Sequence, residues 1–169
     1  PVATSRALAF AAISYWALWC LGCGSWIGGG NALYQAEEYA QRGDYQHAIE
    51  SYREHILERS GDTARPTWEN PYFYLLRIGD LQLREAQPEQ ALQSYREAEE
   101  QKVDPSLISD RYRAVANWYI SHGQLQQAFD LLKRYRDRDS LLFDAILDRV
   151  GRAITAQESG RPLSATPAK

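Results

Sequence analysis

Any chemistry in this chain would have to come from two thiols, three imidazoles and scattered hydroxyls, and their spacing supports little of it. Cys20 and Cys23 both lie in the apolar stretch LAFAAISYWALWCLGC, so residues 24 onward hold no thiol for nucleophilic, redox or disulfide chemistry. His47 and His55 stand eight residues apart on one expected helix, and His122 stands beside an expected turn. No cysteine or carboxylate near them completes a metal-ligand spacing. Ser51, Ser94 and Ser121 fall in expected helices without the context of a nucleophile elbow. The glycines at 28 to 30 follow no strand and precede no lysine, which makes them a flexible tether rather than a phosphate cradle. The acid pairs Glu37 with Glu38 and Glu99 with Glu100 read as solvated helix faces. No enzyme activity, cofactor or metal is expected from this set.

The elements that must position these residues are helical. Ala48, Ile49, Tyr52 and Ile56 recur at helical spacing, as do Leu75, Ile78, Gly79 and Leu83, and Val115, Ala116, Tyr119 and Ile120. No stretch after residue 30 alternates strictly enough to form a strand. A phrase of small residue, turn and Ala-x-x-x-aromatic pair recurs three times, with leucine in the aromatic place of the third copy. The first copy carries Ala36, Tyr39, Gly43, Ala48 and Tyr52; the second carries Gly79, Ala86, Ala91 and Tyr95; the third carries Ala116, Tyr119, Gly123, Ala128 and Leu132. Gln82 stands where the other copies have tyrosine, and Ala86 stands where they have the turn glycine.

These offsets resemble the tetratricopeptide repeat, whose small residues lie where two antiparallel helices touch and whose glycine closes the turn between them. Ala48, Ala91 and Ala128 lie 43 and then 37 residues apart, against a family period of about 34. The excess implies loops, the larger holding GDTARPTWENP, whose prolines and glycine exclude a continuous helix. The expectation is an all-α fold of three helix pairs in a right-handed solenoid over residues 31–158. The stretch DSLLFDAILDRVGRAITAQ would supply a capping helix, started by Asp139 or Ser140 and buried along Leu142, Ala145, Ile146, Val150, Ala153 and Ile154. The tail over 159–169 has little to bury and reads as disordered.

Residues 1–23 differ in kind. Arg6 precedes an uncharged apolar run, the layout of a secretory signal or a membrane anchor, and residues 24–30 form the tether. Cys20-Leu21-Gly22-Cys23 resembles the box that ends bacterial lipoprotein signals, matching at Gly22 and Cys23 and departing where leucine is usual. That resemblance implies cleavage before Cys23 and lipidation of it, with Gly24 favouring the outer membrane and a periplasm-facing domain in the cell envelope. The alternatives are a retained transmembrane helix holding a structural accessory subunit in a larger complex, which Tyr15, Trp16, Trp19 and Trp26 would suit, and a buried helix of a soluble protein.

The chain has 169 residues and a net charge of −3 with both signs interleaved, so no nucleic-acid footprint is present. The repeat resemblance implies a protein or peptide partner, held by the first helix of each pair. The residues it places there are Leu33 and Glu37, then Phe73, Leu76, Asp80 and Arg84, then Asp110, Arg113 and Asn117. The expected function is a membrane-tethered protein-protein interaction scaffold or assembly factor.

Overall fold

A computed structural model describes residues 31–159. The anchor over 1–23, the tether over 24–30, lipidation at Cys23 and all but the first residue of the tail therefore lie outside the described residues. Within them the chain is all-helical. It runs α1 (Asn31–Arg42), α2 (Tyr45–Gly61), a 3-10 turn (Pro71–Phe73), α3 (Tyr74–Arg84), α4 (Pro88–Glu100), α5 (Pro105–Ser121), α6 (Leu125–Tyr135), a second 3-10 turn (Arg136–Arg138) and α7 (Ser140–Glu158).

Local chemistry sets the helix limits. Asp44, Asp104 and Asp139 each accept a backbone N–H from the first turn of the helix that follows, at 3.4, 2.8 and 3.0 Å respectively. Such caps are worth about 1 kcal/mol each. Pro88 and Pro105 open α4 and α5, where a proline's missing N–H removes nothing. The turns within the three hairpins need a left-handed residue: Gly43 (φ +80°), Gly123 (φ +72°) and, in the second, Ala86 (φ +59°). Alanine bears a steric cost there of about 1–2 kcal/mol that glycine lacks. Ala86→Gly is therefore expected to stabilise the domain by about 0.5–1 kcal/mol after the entropy of a freer unfolded chain is subtracted. A higher denaturant midpoint would show it; an unchanged or lower one would mean that the turn is not left-handed at Ala86.

Connections this short force sequence neighbours to lie antiparallel. The broadest contacts fall within α1/α2, α3/α4 and α5/α6, followed by α6/α7; α2 also meets α3, α4 meets α5, and α3 meets α5. The helices thus begin and end at two rims. A loop rim holds the start of α1, the segment 62–70, the link 101–104 and the link 136–139. A turn rim holds the three hairpin turns and the end of α7. Bonds across each rim agree with this layout: Asn70 Nδ2 donates to the Gln101 carbonyl (2.9 Å) and Arg138 pairs with Glu99 at the loop rim, while Gln46 donates to Glu85 at the turn rim.

The small residues of the recurring phrase lie in the core, with Ala36, Ala48, Ala91, Ala116 and Ala128 fully buried beside Tyr52 and Tyr95. Gln82, standing where the other copies have tyrosine, is also buried, and its Oε1 accepts the Ser94 hydroxyl at 2.7 Å. A hydrogen-bonded polar pair fills the space a ring takes elsewhere. The last helix departs from expectation. Phe143 and Val150, seven residues apart and so nearly superposed along the helix, form its buried line, whereas Ala145 is exposed and Leu142, Ile146, Ala153 and Ile154 are half-buried flanks. The excess residues after α2 form the expected loop, although α2 itself continues to Gly61.

Candidate functional site

A face shared by α1, α3 and α5 carries the candidate site. Two similar bond relays cross it. The buried Tyr52 ring on α2 sends its hydroxyl to Glu37 Oε1 on α1 (2.6 Å), and Arg77 on α3 reaches Glu37 Oε2 (3.3 Å). One unit later the buried Tyr95 on α4 donates to Asp80 Oδ1 on α3 (2.9 Å), and Arg111 on α5 reaches Asp80 Oδ2 (3.1 Å). Each relay joins a tyrosine, a carboxylate fifteen positions earlier and an arginine of the next hairpin. A tyrosine suits this use because its ring fills the core while its hydroxyl reaches a charged acceptor at the edge. Burial first, and then Glu37, push the Tyr52 phenol up to about 12; burial and Asp80 likewise raise that of Tyr95. The third unit breaks the series, with Asn117 and Leu132 in the corresponding places.

Between the relays opens a cavity of about 530 Å³ lined by Ala40, Arg77, Asp80, Leu81, Leu83, Arg84 and Trp118. Trp118 is fixed from behind: the His122 ring stacks on it with centroids 3.8 Å apart, and His122 Nδ1 lies 2.7 Å from the Trp118 carbonyl. A carbonyl only accepts, so that nitrogen carries the proton. Arg77 and Asp80 are engaged in the relays. Arg84 is exposed and has no ion pair among the described residues, which leaves one available cation beside an indole and two leucines. The arrangement can hold a carboxylate next to an apolar or aromatic side chain. No metal-holding group of side chains occurs among the described residues.

No family model and no curated protein matches this chain.

The structure divides the residues expected to meet a partner. Asp80 and Arg84 line the cavity together. Glu37 and Asp80 are committed to the relays, so their charge is largely answered within the fold. Leu76 corrects the expectation of a partner contact: it is 0 % exposed in the core and cannot meet a partner of the folded chain. Leu33 is half-buried against the same core. Phe73 is exposed in the 3-10 turn at the loop rim, its ring edge-on to Tyr74 at 5.8 Å, and lies outside the cavity. Asp110 pairs with Arg113 along α5 (2.9 Å), and Asp110 borders a separate cleft of about 420 Å³ with Ser106, Ser109, Arg138 and Leu142. Asn117 is exposed. Sequence reasoning missed Arg77, Trp118 and His122. The fifteen-residue spacing from Glu37 to Tyr52 and from Asp80 to Tyr95 was the signal available for the relays, whereas nothing in the sequence singled out Trp118.

Proposed function

We propose that this chain is a membrane-tethered protein-protein interaction scaffold that binds a peptide segment across α1, α3 and α5 and performs no chemical turnover. The reading takes α1/α2, α3/α4 and α5/α6 as three tetratricopeptide-like pairs of a right-handed solenoid, with α7 as its cap. The observation that carries it is the cavity in which Arg84, without an ion pair among the described residues, stands beside Trp118, Leu81 and Leu83. A half-buried indole with an adjacent arginine has the composition of an interface anchor. A ligand segment with an acidic side chain next to an apolar one fits that pairing. The tether belongs to the N-terminal segment, since no helix among the described residues is long and apolar enough to cross a membrane. The envelope setting and periplasm-facing outer-membrane location rest on the Gly22-Cys23 resemblance to lipoprotein signals.

Crosslinking recovery of the partner from membranes tests the reading. Arg84→Glu with Trp118→Ala is expected to reduce recovery about tenfold or more, as loss of two anchors does elsewhere. Arg84→Glu alone should weaken recovery while leaving the melting temperature unchanged, because the side chain is exposed and has no ion pair among the described residues. Full recovery by both variants would remove this face from consideration. Intact-mass measurement of the chain and its Cys23→Ala variant tests the tether separately: lipid on Cys23 that the variant lacks supports the lipoprotein route, and an unmodified chain retaining residues 1–23 supports a retained helix.

A further inference from the structure

The large apolar side chains that the fold leaves in water are not scattered. Tyr34, Leu57, Trp68, Phe73 and Leu141 are 67, 74, 83, 42 and 92 % exposed. Tyr34 lies in the first turn of α1, Leu57 near the end of α2, Trp68 in the loop that follows, Phe73 in the 3-10 turn before α3 and Leu141 in the first turn of α7. Every one of these places lies in the loop rim or within about one helical turn of it. The turn rim carries Gly43, Gln46, Glu85, Gln87, Gln124 and Gln126 instead. Single exposed apolar residues are ordinary, but a set confined to one end of a helical array is a surface with a use.

The loop that presents Trp68 is held firmly. Arg59 clasps Glu69 through two nitrogens, Nε at 2.8 Å, and also reaches Asp62; the guanidinium holds the Glu69 carboxyl below its ordinary range. Asp62 Oδ1 accepts the Ala64 N–H (2.8 Å), and Asn70 ties the far end to Tyr72 (3.1 Å) and to the Gln101 carbonyl just after α4 (2.9 Å). A clamped loop that leaves an indole in solvent positions that indole for contact. Charges of both signs fall at this rim, Arg65, Lys102 and Arg136 along with Asp62, Glu69 and Asp137, so a strongly charged partner finds no complement. An indole, a phenol and aliphatic side chains among mixed charges suit the boundary between lipid headgroups and acyl chains.

The same rim is where the chain enters from its apolar segment. Asn31 starts α1 there, and the uncharged run over residues 7–23 precedes it by the short Gly-rich stretch. We infer that the loop rim lies on the bilayer to which residues 1–23 attach the chain, with Trp68 and Leu141 seated in the interfacial layer and the Arg84–Trp118 cavity held to one side, its turn-rim end away from the lipid. This rests on the tethered reading above.

The test uses the full chain, labelled with 5-fluorotryptophan, in phosphatidylcholine nanodiscs, with Trp68→Phe identifying the Trp68 fluorine signal. A nitroxide on the lipid chain is expected to erase the Trp68 signal and spare that of Trp118, and a water-soluble gadolinium chelate is expected to do the reverse. Trp68→Ser with Leu141→Ser, both exposed in the fold, should leave thermal melting unchanged and free the rim, seen as gadolinium broadening of the Tyr34 and Phe73 ring protons. A chain that stays in the disc while Trp68 answers to gadolinium as Trp118 does would overturn the inference, leave the tether standing and give the rim to a protein partner. A chain that fails to enter the discs at all would remove the tethered reading and this inference together.

Discussion

Leu76→Glu is expected to unfold the helical domain rather than to weaken the capture of a partner. Leu76 is 0 % exposed and belongs to the main apolar cluster with Leu75, Ile78 and the buried tyrosines Tyr52, Tyr95, Tyr112, Tyr119 and Tyr135. Truncating such a leucine alone costs about 2–5 kcal/mol. Glutamate adds the cost of placing a carboxylate in an apolar cluster, which brings the total to the scale of a small domain's whole stability. Loss of helical circular dichroism, or of a cooperative melt, at neutral pH is the predicted result. A variant that melts like the parent would show that Leu76 is not in the core and that α3 is wrongly rotated.

Gly79→Ala tests the tightest helix contact. A methyl group built on Gly79 would lie 2.7 Å from Cζ and 2.8 Å from Cδ1 of Tyr95, and nearer still to Cε1. Tyr95 cannot withdraw easily, because its ring is 0 % exposed and its hydroxyl is bonded to Asp80. Alanine in mid-helix would otherwise gain about 1 kcal/mol over glycine. Overpacking a close-packed core costs about 1–3 kcal/mol and sometimes more, so a net loss is expected and the usual sign of the exchange reverses. The origin of that loss can be isolated: in a Tyr95→Leu background the same substitution should cost much less. Equal costs in both backgrounds would assign the loss to something other than the ring.

The contrast between these two positions shows what the sequence could reveal. Gly79 was legible because a small residue recurs at fixed offsets with Ala36 and Ala116, and a small side chain at that spacing implies a close approach of helices. Leu76 was not. Its assignment to an open face assumed a helix with one buried side, whereas α3 touches α2, α4 and α5 and buries Leu75, Leu76, Ile78, Gly79, Leu81 and Gln82 around most of its circumference. Helix pairing was thus readable from local spacing, and the identity of the enclosed helix depended on its neighbours. The candidate site follows the same division. Glu37 and Asp80 looked like free charges because the tyrosines that engage them stand fifteen residues on, across the hairpin, and Trp118 acquired a role only when α5 came beside α3. The α7 stripe was displaced for a related reason: its apolar residues spread over more than half the helix, and packing against α6 chose Phe143 and Val150 from among them.

That helix also decides how the molecule comes apart. Of the other helices α7 meets only α6 broadly, and two of its nineteen residues are buried, whereas α3 is enclosed on several sides. In a linear array each interface contributes separately, so releasing the last element breaks one of them while releasing an inner element breaks several. The chain therefore possesses a graded series of open states, with the cheapest at its C-terminal end and the dearest around α3. Amide hydrogens beside Val150 would exchange through detachment of a single helix, and those beside Ile78 only through collapse of the array. A protease meeting the folded protein would find the same gradient, trimming from α7 inward and reaching α5, which carries Trp118, only after α6.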